Sequence, residues 1–184
     1  MSPNRLFELL ERDPKVGEVL AAVRDAGPDG AYVAAGFVRN RYWDSLYPAQ
    51  SSYPDLDIDV VYFEKAAVAP ERDYAFEAAL AAIMPGEVWQ VRNQARMHEF
   101  GGYAPFASLE EALEHWAETA TTVGVRAGAA GTLEYVAPFG LADLYGQILR
   151  ITPAMKANNP DGFGNRLVDK AWLARWPDLT VTRT

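Results

Sequence analysis

The sequence predicts an α/β (α+β) fold, a short mixed sheet flanked by helices. Three observations carry that expectation. Residues 31–35, AYVAA, are a short apolar run ending at Gly36, as a buried strand closing in a tight turn does. Residues 57–64, DIDVVYFE, read as a strand, and 87–93, EVWQVRN, alternate as a strand with two unlike faces does. Ahead of these runs, apolar residues return at i, i+3, i+4 and i+7, the period of a helix packed on one side, and helix-forming stretches separate the runs themselves.

The elements follow in order. Ser2-Pro3 and Asp13-Pro14 each join a capping residue to a first-turn proline, so a helix is predicted to begin at each. Val16, Val19, Leu20 and Val23 then recur at i, i+3, i+4 and i+7, an amphipathic helix running toward Gly27. The spacing from Arg39 to Leu46 predicts a helix, and Pro70 to Met84 is an alanine-rich helix stopped by Pro85-Gly86. Ser108 with Glu111 three residues on is a capping box that opens a helix through about Ala117. Residues 121–126 and 131–137, joined through Gly128 and Gly131, read as a β-hairpin. Residues 141–149 and 164–177 read as helices, and the polar, turn-rich segment 152–164 as the nearest thing to a linker. The expected organisation is one domain over residues 1–184, with an N-terminal helical segment at 1–26 and a C-terminal helix at 164–177.

Composition narrows the chemistry. The chain has 184 residues, 49% hydrophobic and 23% charged, and a chain this long buries roughly 70% of its unfolded surface without a disulfide or structural metal. The absence of cysteine excludes thiol catalysis, Cys-based zinc sites and disulfides, and fits a cytoplasmic location. His98 and His115 are the only histidines and lack metal-ligand spacing, which argues against zinc; His115 is expected to be exposed on its capped helix. The N-terminus carries charges throughout and no window approaches the roughly 20 apolar residues of a membrane helix, so no membrane partner is expected. With 17 basic and 25 acidic residues the formal charge is −8, which repels polyanions and disfavours nucleic acid as a partner.

Strand periodicity places Asp57 and Asp59 on one side, with Ile58, Val60 and Tyr62 toward the core. Asp55, two residues earlier, continues the series. Carboxylates at i and i+2 lie roughly 6 to 7 Å apart, close enough to share a divalent cation and mutually repulsive without one. The second half is Gly36, where a strand hands over to a helix: phosphates can approach bare backbone N–H groups there, and Arg39 in the first turn can add a bidentate contact. The order strand, glycine, helix, then a strand with Asp-x-Asp is a layout for nucleotide plus metal. The plain alternatives are a solvent-facing strand for the aspartates and a local pairing of Arg39 with Asp44. Arg92, Asn93, Arg96 and His98 form a polar cluster at the exit of the 87–93 strand, suited to the pocket or to an ordinary loop. Trp172 and Trp176, at i and i+4, read as core anchors, and residues 137–144 as a turn delivering a helix, with Asp143 able to approach the pocket.

AGFVRN (35–40) with DLDIDV (55–60) resembles the glycine turn and Asp-x-Asp strand of the DNA polymerase β-type nucleotidyltransferase superfamily, in particular the head domain of CCA-adding enzymes. A family of bacterial nucleotidyltransferase-like proteins of unassigned substrate is more similar still, through GFVRNRYWD, DIDVVYFE, WQVRNQARMHE, ETATTVGVR, APFGLADLYGQILR and KAWLARWP, which span residues 36 to 177. The resemblance implies a nucleotidyltransferase fold. It implies catalytic and metal-binding roles for Asp57 and Asp59, holding Mg²⁺ or Mn²⁺, and phosphate contact at Gly36 and Arg39. Phe37 of the turn, Asn93 and Arg96 of the polar cluster, and Thr121, which is kept from the head-domain Arg-Arg-Asp-Phe-Thr-x-Asn block, complete the expected nucleotide-binding set.

The sequence departs from that pattern in three places. Ala35 and Phe37 flank Gly36 where the superfamily has a second glycine or serine. Residues 117–124, AETATTVG, lack the arginines and asparagine of the head-domain block, and a third carboxylate has no clear equivalent: Glu64 is on the wrong face and Glu99 is only a candidate. The expected function is Mg²⁺-dependent transfer of a nucleoside monophosphate from an NTP to an unknown acceptor, whether a small molecule, a protein or an RNA end. The rival is a degenerate module that binds a nucleotide or a protein without turnover.

Overall fold

The computed structural model describes residues 3–48 and 57–183, so the expected cap at Ser2 and the carboxylate of Asp55 lie outside the described residues. Chain order runs α1 (Asn4–Glu11), α2 (Pro14–Ala26), β1 (Tyr32–Ala34), α3 (Gly36–Asp44), β2 (Ile58–Tyr62), α4 (Pro70–Ile83), β3 (Trp89–Asn93), α5 (His98–Gly101) and α6 (Leu109–Glu114). It continues with β4 (Gly124–Ala127), β5 (Leu133–Val136), α7 (Ala142–Tyr145), β6 (Ile148–Arg150), α8 (Pro153–Asn158), α9 (Pro160–Asp169), α10 (Trp172–Arg175) and β7 (Thr180–Thr182). The α/β class expected from sequence is the one observed.

Five strands form a mixed sheet in the order β3-β2-β1-β4-β5. β1 is antiparallel to both β2 and β4, β2 and β3 are parallel, and β4-β5 is the expected hairpin. The register builds two rows across the sheet. Val125, Val33, Val60 and Val91 are consecutive partners, and all four are fully buried in the main core with Val19 of α2 and Leu80 of α4. One residue over, Gly124, Ala34, Asp59 and Gln90 are partners on the opposite face. One face is thus apolar and covered by helices, while the other presents small residues beside a carboxylate.

Local chemistry explains several boundaries. Asp13 caps α2 by accepting from the Lys15 N–H at 3.0 Å, with Pro14 next in line. Ser108 accepts from Glu111 N–H at 3.2 Å to open α6, and the Glu111 carboxylate returns to the N–H of Ala107 rather than Ser108, one residue short of a full capping box.

The C-terminal third differs from expectation. Residues 141–149 are not one helix: α7 ends at Tyr145, Gln147 adopts φ 53°, and the chain continues as β6, which pairs in parallel with β7. The segment 152–164 is not a linker. Thr152 accepts from Met155 N–H at 3.2 Å and Asn159 from Gly162 N–H at 3.0 Å, and each precedes a proline, so both α8 and α9 open with a cap and first-turn proline. The expected helix 164–177 is α9 followed by α10, broken at Ala171 with φ 49°. His115 is half-buried rather than exposed, its ring 4.3 Å from Tyr103 and 4.5 Å from Phe106.

Candidate active site

The open face of the sheet, α3 and the C-terminal helices enclose a cavity of about 720 Å³, within the size range of small-molecule sites. Asp57 and Asp59 of the β2 side, Gly36 and Arg39 of α3, and Thr121 all line it. The plain solvent-facing alternative for the aspartates does not describe this placement.

Each side chain has a structural reason for its position. Asp59 pairs in register with Gln90, and the Gln90 amide donates to Asp57 Oδ2 at 2.6 Å, so β3 aims the carboxylate that immediately precedes β2 while β2 itself carries Asp59. Burial, and next the negative charge of Asp57, raises the Asp59 carboxyl to a pKa of about 6, with Arg39, Arg92 and Lys170 pulling the other way. Two close carboxylates, one of them partly desolvated, make a hard-oxygen donor set that fits Mg²⁺ or Mn²⁺ and leaves most coordination positions to water and phosphate. Among the described residues no group of three or more acidic or histidine side chains forms a fuller metal cluster.

Gly36 opens α3, and a Cβ placed on it would meet nothing nearer than the Asn40 amide at 3.4 Å. Packing within the chain therefore does not demand glycine here; the bare backbone leaves room for a ligand at a nine-residue helix N-terminus. The conformational demand falls one residue earlier. Ala35 sits at φ 56°, ψ −128°, a region that glycine adopts readily and alanine rarely.

Arg39 does not reach out as an exposed phosphate finger, nor does it pair with Asp44. It is 4% exposed, and its guanidinium lies 4.4 Å from the ring centre of Trp172. Its Nη1 donates to Thr121 Oγ1 at 2.7 Å, which donates to Glu118 Oε2 at 3.0 Å; Glu118 also accepts from Arg166 Nε at 2.7 Å. Desolvation lowers the Arg39 pKa to about 10, offset in part by the Glu118 charge. Asp44 is instead taken by Arg175 at 2.5 Å and by the Trp176 indole N–H at 2.9 Å, which docks α10 on α3.

Not every expected residue joins the cavity. Phe37 is buried in the core, with the Arg41 guanidinium 3.5 Å from its ring centre. The Asn93 amide is spent on backbone groups of Glu64, Ala67 and Ala95, and Arg96 is paired with the buried Asp73. Arg92 bonds Glu77, Asp143 bonds Thr119 and Arg150, and Glu99 lies on α5 away from the lining. Conversely, Gln90, Glu118, Trp116, Arg166, Lys170 and Trp172 line the site and were not assigned to it from sequence. Alternation in EVWQVRN places Gln90 opposite Val91, but only the parallel register brings it beside Asp57.

A family model described as nucleotidyltransferase matches residues 21–181. No curated protein matches the chain. Among solved structures, an NMR structure said to reveal a CCA-adding enzyme head domain is similar over 100% of this chain and 97% of its own, at 28% identity and TM-score 0.84. The Thermotoga maritima CCA-adding enzyme complexed with tRNA shares the fold at 17% identity and TM-score 0.59, over 96% of this chain and 42% of that one. A CCA-adding enzyme in complex with ATP shares it at 16% identity and TM-score 0.58, over 100% of this chain and 42% of that one, so the chain spans under half the length of these two enzymes. The family match covers most of the sequence: the chain belongs to the nucleotidyltransferase family, and its class of chemistry is nucleotidyl transfer.

Proposed function

We propose that this protein transfers a nucleoside monophosphate from an NTP to an acceptor hydroxyl in a Mg²⁺- or Mn²⁺-dependent reaction. The observation that carries the reading is the meeting, in one cavity, of the Asp57–Asp59 pair, the glycine start of α3 and the cations Arg39, Arg166, Lys170 and Arg175. In the reaction the acceptor oxygen bonds to the α-phosphorus, the bond from that phosphorus to the bridging oxygen breaks, the acceptor proton leaves and pyrophosphate departs.

Asp57 and Asp59 would hold the divalent metal, which would supply charge neutralisation at the triphosphate and activation of the attacking oxygen. The N-terminus of α3 at Gly36 offers backbone N–H groups to a phosphate. Gln90 fixes the orientation of Asp57. Arg39 contributes a fixed positive field from beneath the site, because its stacking on Trp172 and its bond to Thr121 hold it in place. Lys170, exposed, without an ion-pair partner among the described residues and lining the same cavity, is the cation we assign to the departing pyrophosphate. The acidic surface, −8 overall, argues for an acceptor other than a long nucleic acid.

The test combines isothermal titration of each NTP, in Mg²⁺ and in EDTA, with incubation of α-labelled NTPs, protein and cell extract. Label transferred by wild type and lost in Asp59→Ala supports the reading. Metal-dependent NTP binding without transfer in any extract leaves a nucleotide-binding module in its place, and no NTP binding at all removes both.

A further inference from the structure

Two tryptophans line the cavity, and they are differently occupied. The face of Trp172 is taken: the Arg39 guanidinium lies 4.4 Å from its ring centre and that of Arg166 5.6 Å. Trp116 has no ring or guanidinium against it among the described residues, and it is half-buried rather than sealed in the core. Yet it is held firmly. Its indole N–H donates to Gln94 Oε1 at 3.2 Å, its backbone N–H to Leu113 O at 3.0 Å, and its carbonyl accepts from Thr152 Oγ1 at 2.5 Å. Gln94 is itself 3% exposed, and its amide donates to Arg92 O at 3.3 Å, so the tether on the indole is rigid.

A large indole that lines a cavity among charged side chains, half-buried and held through its N–H and its backbone, with no aromatic or guanidinium partner among the described residues, has surface left for a ligand to cover. A planar π-system from a ligand would cover it by stacking. We propose that Trp116 is a stacking platform for the nucleobase, favouring a purine nucleoside triphosphate as donor. This rests on the nucleotidyl-transfer reading above and deepens it, since nothing there says which part of the cavity takes the base. Stacking does not read base edges, and the Gln94 amide is already engaged, so the subsite ranks bases by ring area, with adenine and guanine above cytosine and uracil.

The platform acts only on ligands that carry a base, which separates it from the anion-binding part of the site. Titrations of ATP, GTP, CTP, UTP and inorganic tripolyphosphate, all with Mg²⁺, into wild type, Trp116→Leu and Trp116→Phe exploit that difference. Expected are tighter purine than pyrimidine binding in wild type, about a tenfold weakening of ATP and GTP in Trp116→Leu, a smaller loss in Trp116→Phe, and tripolyphosphate affinity unchanged throughout. Tripolyphosphate binding also reports that each variant is folded, and Trp116→Phe keeps most of the side-chain volume should the leucine variant fail to fold. ATP affinity unchanged in both variants, or ATP and tripolyphosphate weakened by the same factor, overturns the platform and leaves the nucleotide site standing. Wild type that binds neither ATP nor tripolyphosphate removes the nucleotide reading itself.

Discussion

Asp59→Asn is expected to make the metal-free protein more stable, and only above a definite pH. Desolvation first and the Asp57 charge second raise the Asp59 pKa from 3.8 to about 6 in the folded state. Because the folded-state pKa is raised, the native protein keeps a proton between about pH 4 and about pH 6 that the unfolded chain has released. The associated stability is full below about pH 4 and is lost as pH rises through about 6. The difference between 3.8 and about 6 corresponds to about 3 kcal/mol at neutral pH. Asparagine keeps the shape and removes the titration. Urea unfolding in EDTA, at pH 4 through pH 8, measures the effect: wild type and variant should coincide at the acid end and diverge to about 3 kcal/mol above pH 6. Added Mg²⁺ with NTP should then stabilise wild type and leave the variant nearly unmoved. A variant less stable than wild type at pH 8, or a difference independent of pH, would refute the assignment of a costly buried carboxylate.

Three further outcomes follow from the same site. Ala35→Gly should raise the melting temperature by about 2–4 °C, since relief of strain at φ 56° outweighs the extra freedom of glycine in the unfolded chain by about 1 kcal/mol; a lowered value means that the turn is unstrained. Glu118→Ala should cost about 3 kcal/mol in urea unfolding, because it strips the buried Arg39 of its largest compensating charge and Thr121 of its acceptor, whereas a loss under 0.5 kcal/mol would mark the network as incidental. Lys170→Met should weaken Mg²⁺–ATP binding about five- to tenfold at low salt, with the gap closing as ionic strength rises, and should leave the melting temperature in place; salt-independent loss contradicts an electrostatic contact.

The fold and half of the site were legible because their signals are local. Alternation in DIDVVYFE placed Asp57 and Asp59 on one side, and Gly36 marked the strand-to-helix turn, whose helix begins three residues before Arg39. Asp13-Pro14 announced α2 by a mechanism that needs only two residues. The same mechanism was present at Thr152-Pro153 and Asn159-Pro160, but the surrounding polar residues read as turns, since short helices without an apolar stripe leave no periodic trace. The break at Ala171 has no glycine or proline to mark it, and the spacing of Leu141, Leu144, Tyr145 and Ile148 is as good for a helix as for the short helix and strand that form. Asn93 and Arg96 looked functional because polar clusters at strand exits often are; here Asp73 and the backbone near residue 65 use them as struts. Glu118 and Lys170 reach the cavity through tertiary contacts that no local pattern encodes.

The docking of α10 on α3 through Asp44, 131 residues before Arg175 in the chain, sets a timetable as well as a geometry. During synthesis, a nascent chain that has emerged only through β6 already carries Gly36, Asp57 and Asp59, while Arg166, Lys170 and Trp172 have yet to appear. That chain bears the recognisable motif and half of a chamber. On the proposed function, a complete nucleotide site would form only late in the making of each molecule. Truncations that spare every signature residue, yet remove the last twenty or so positions, should abolish binding as completely as mutation of the signature itself.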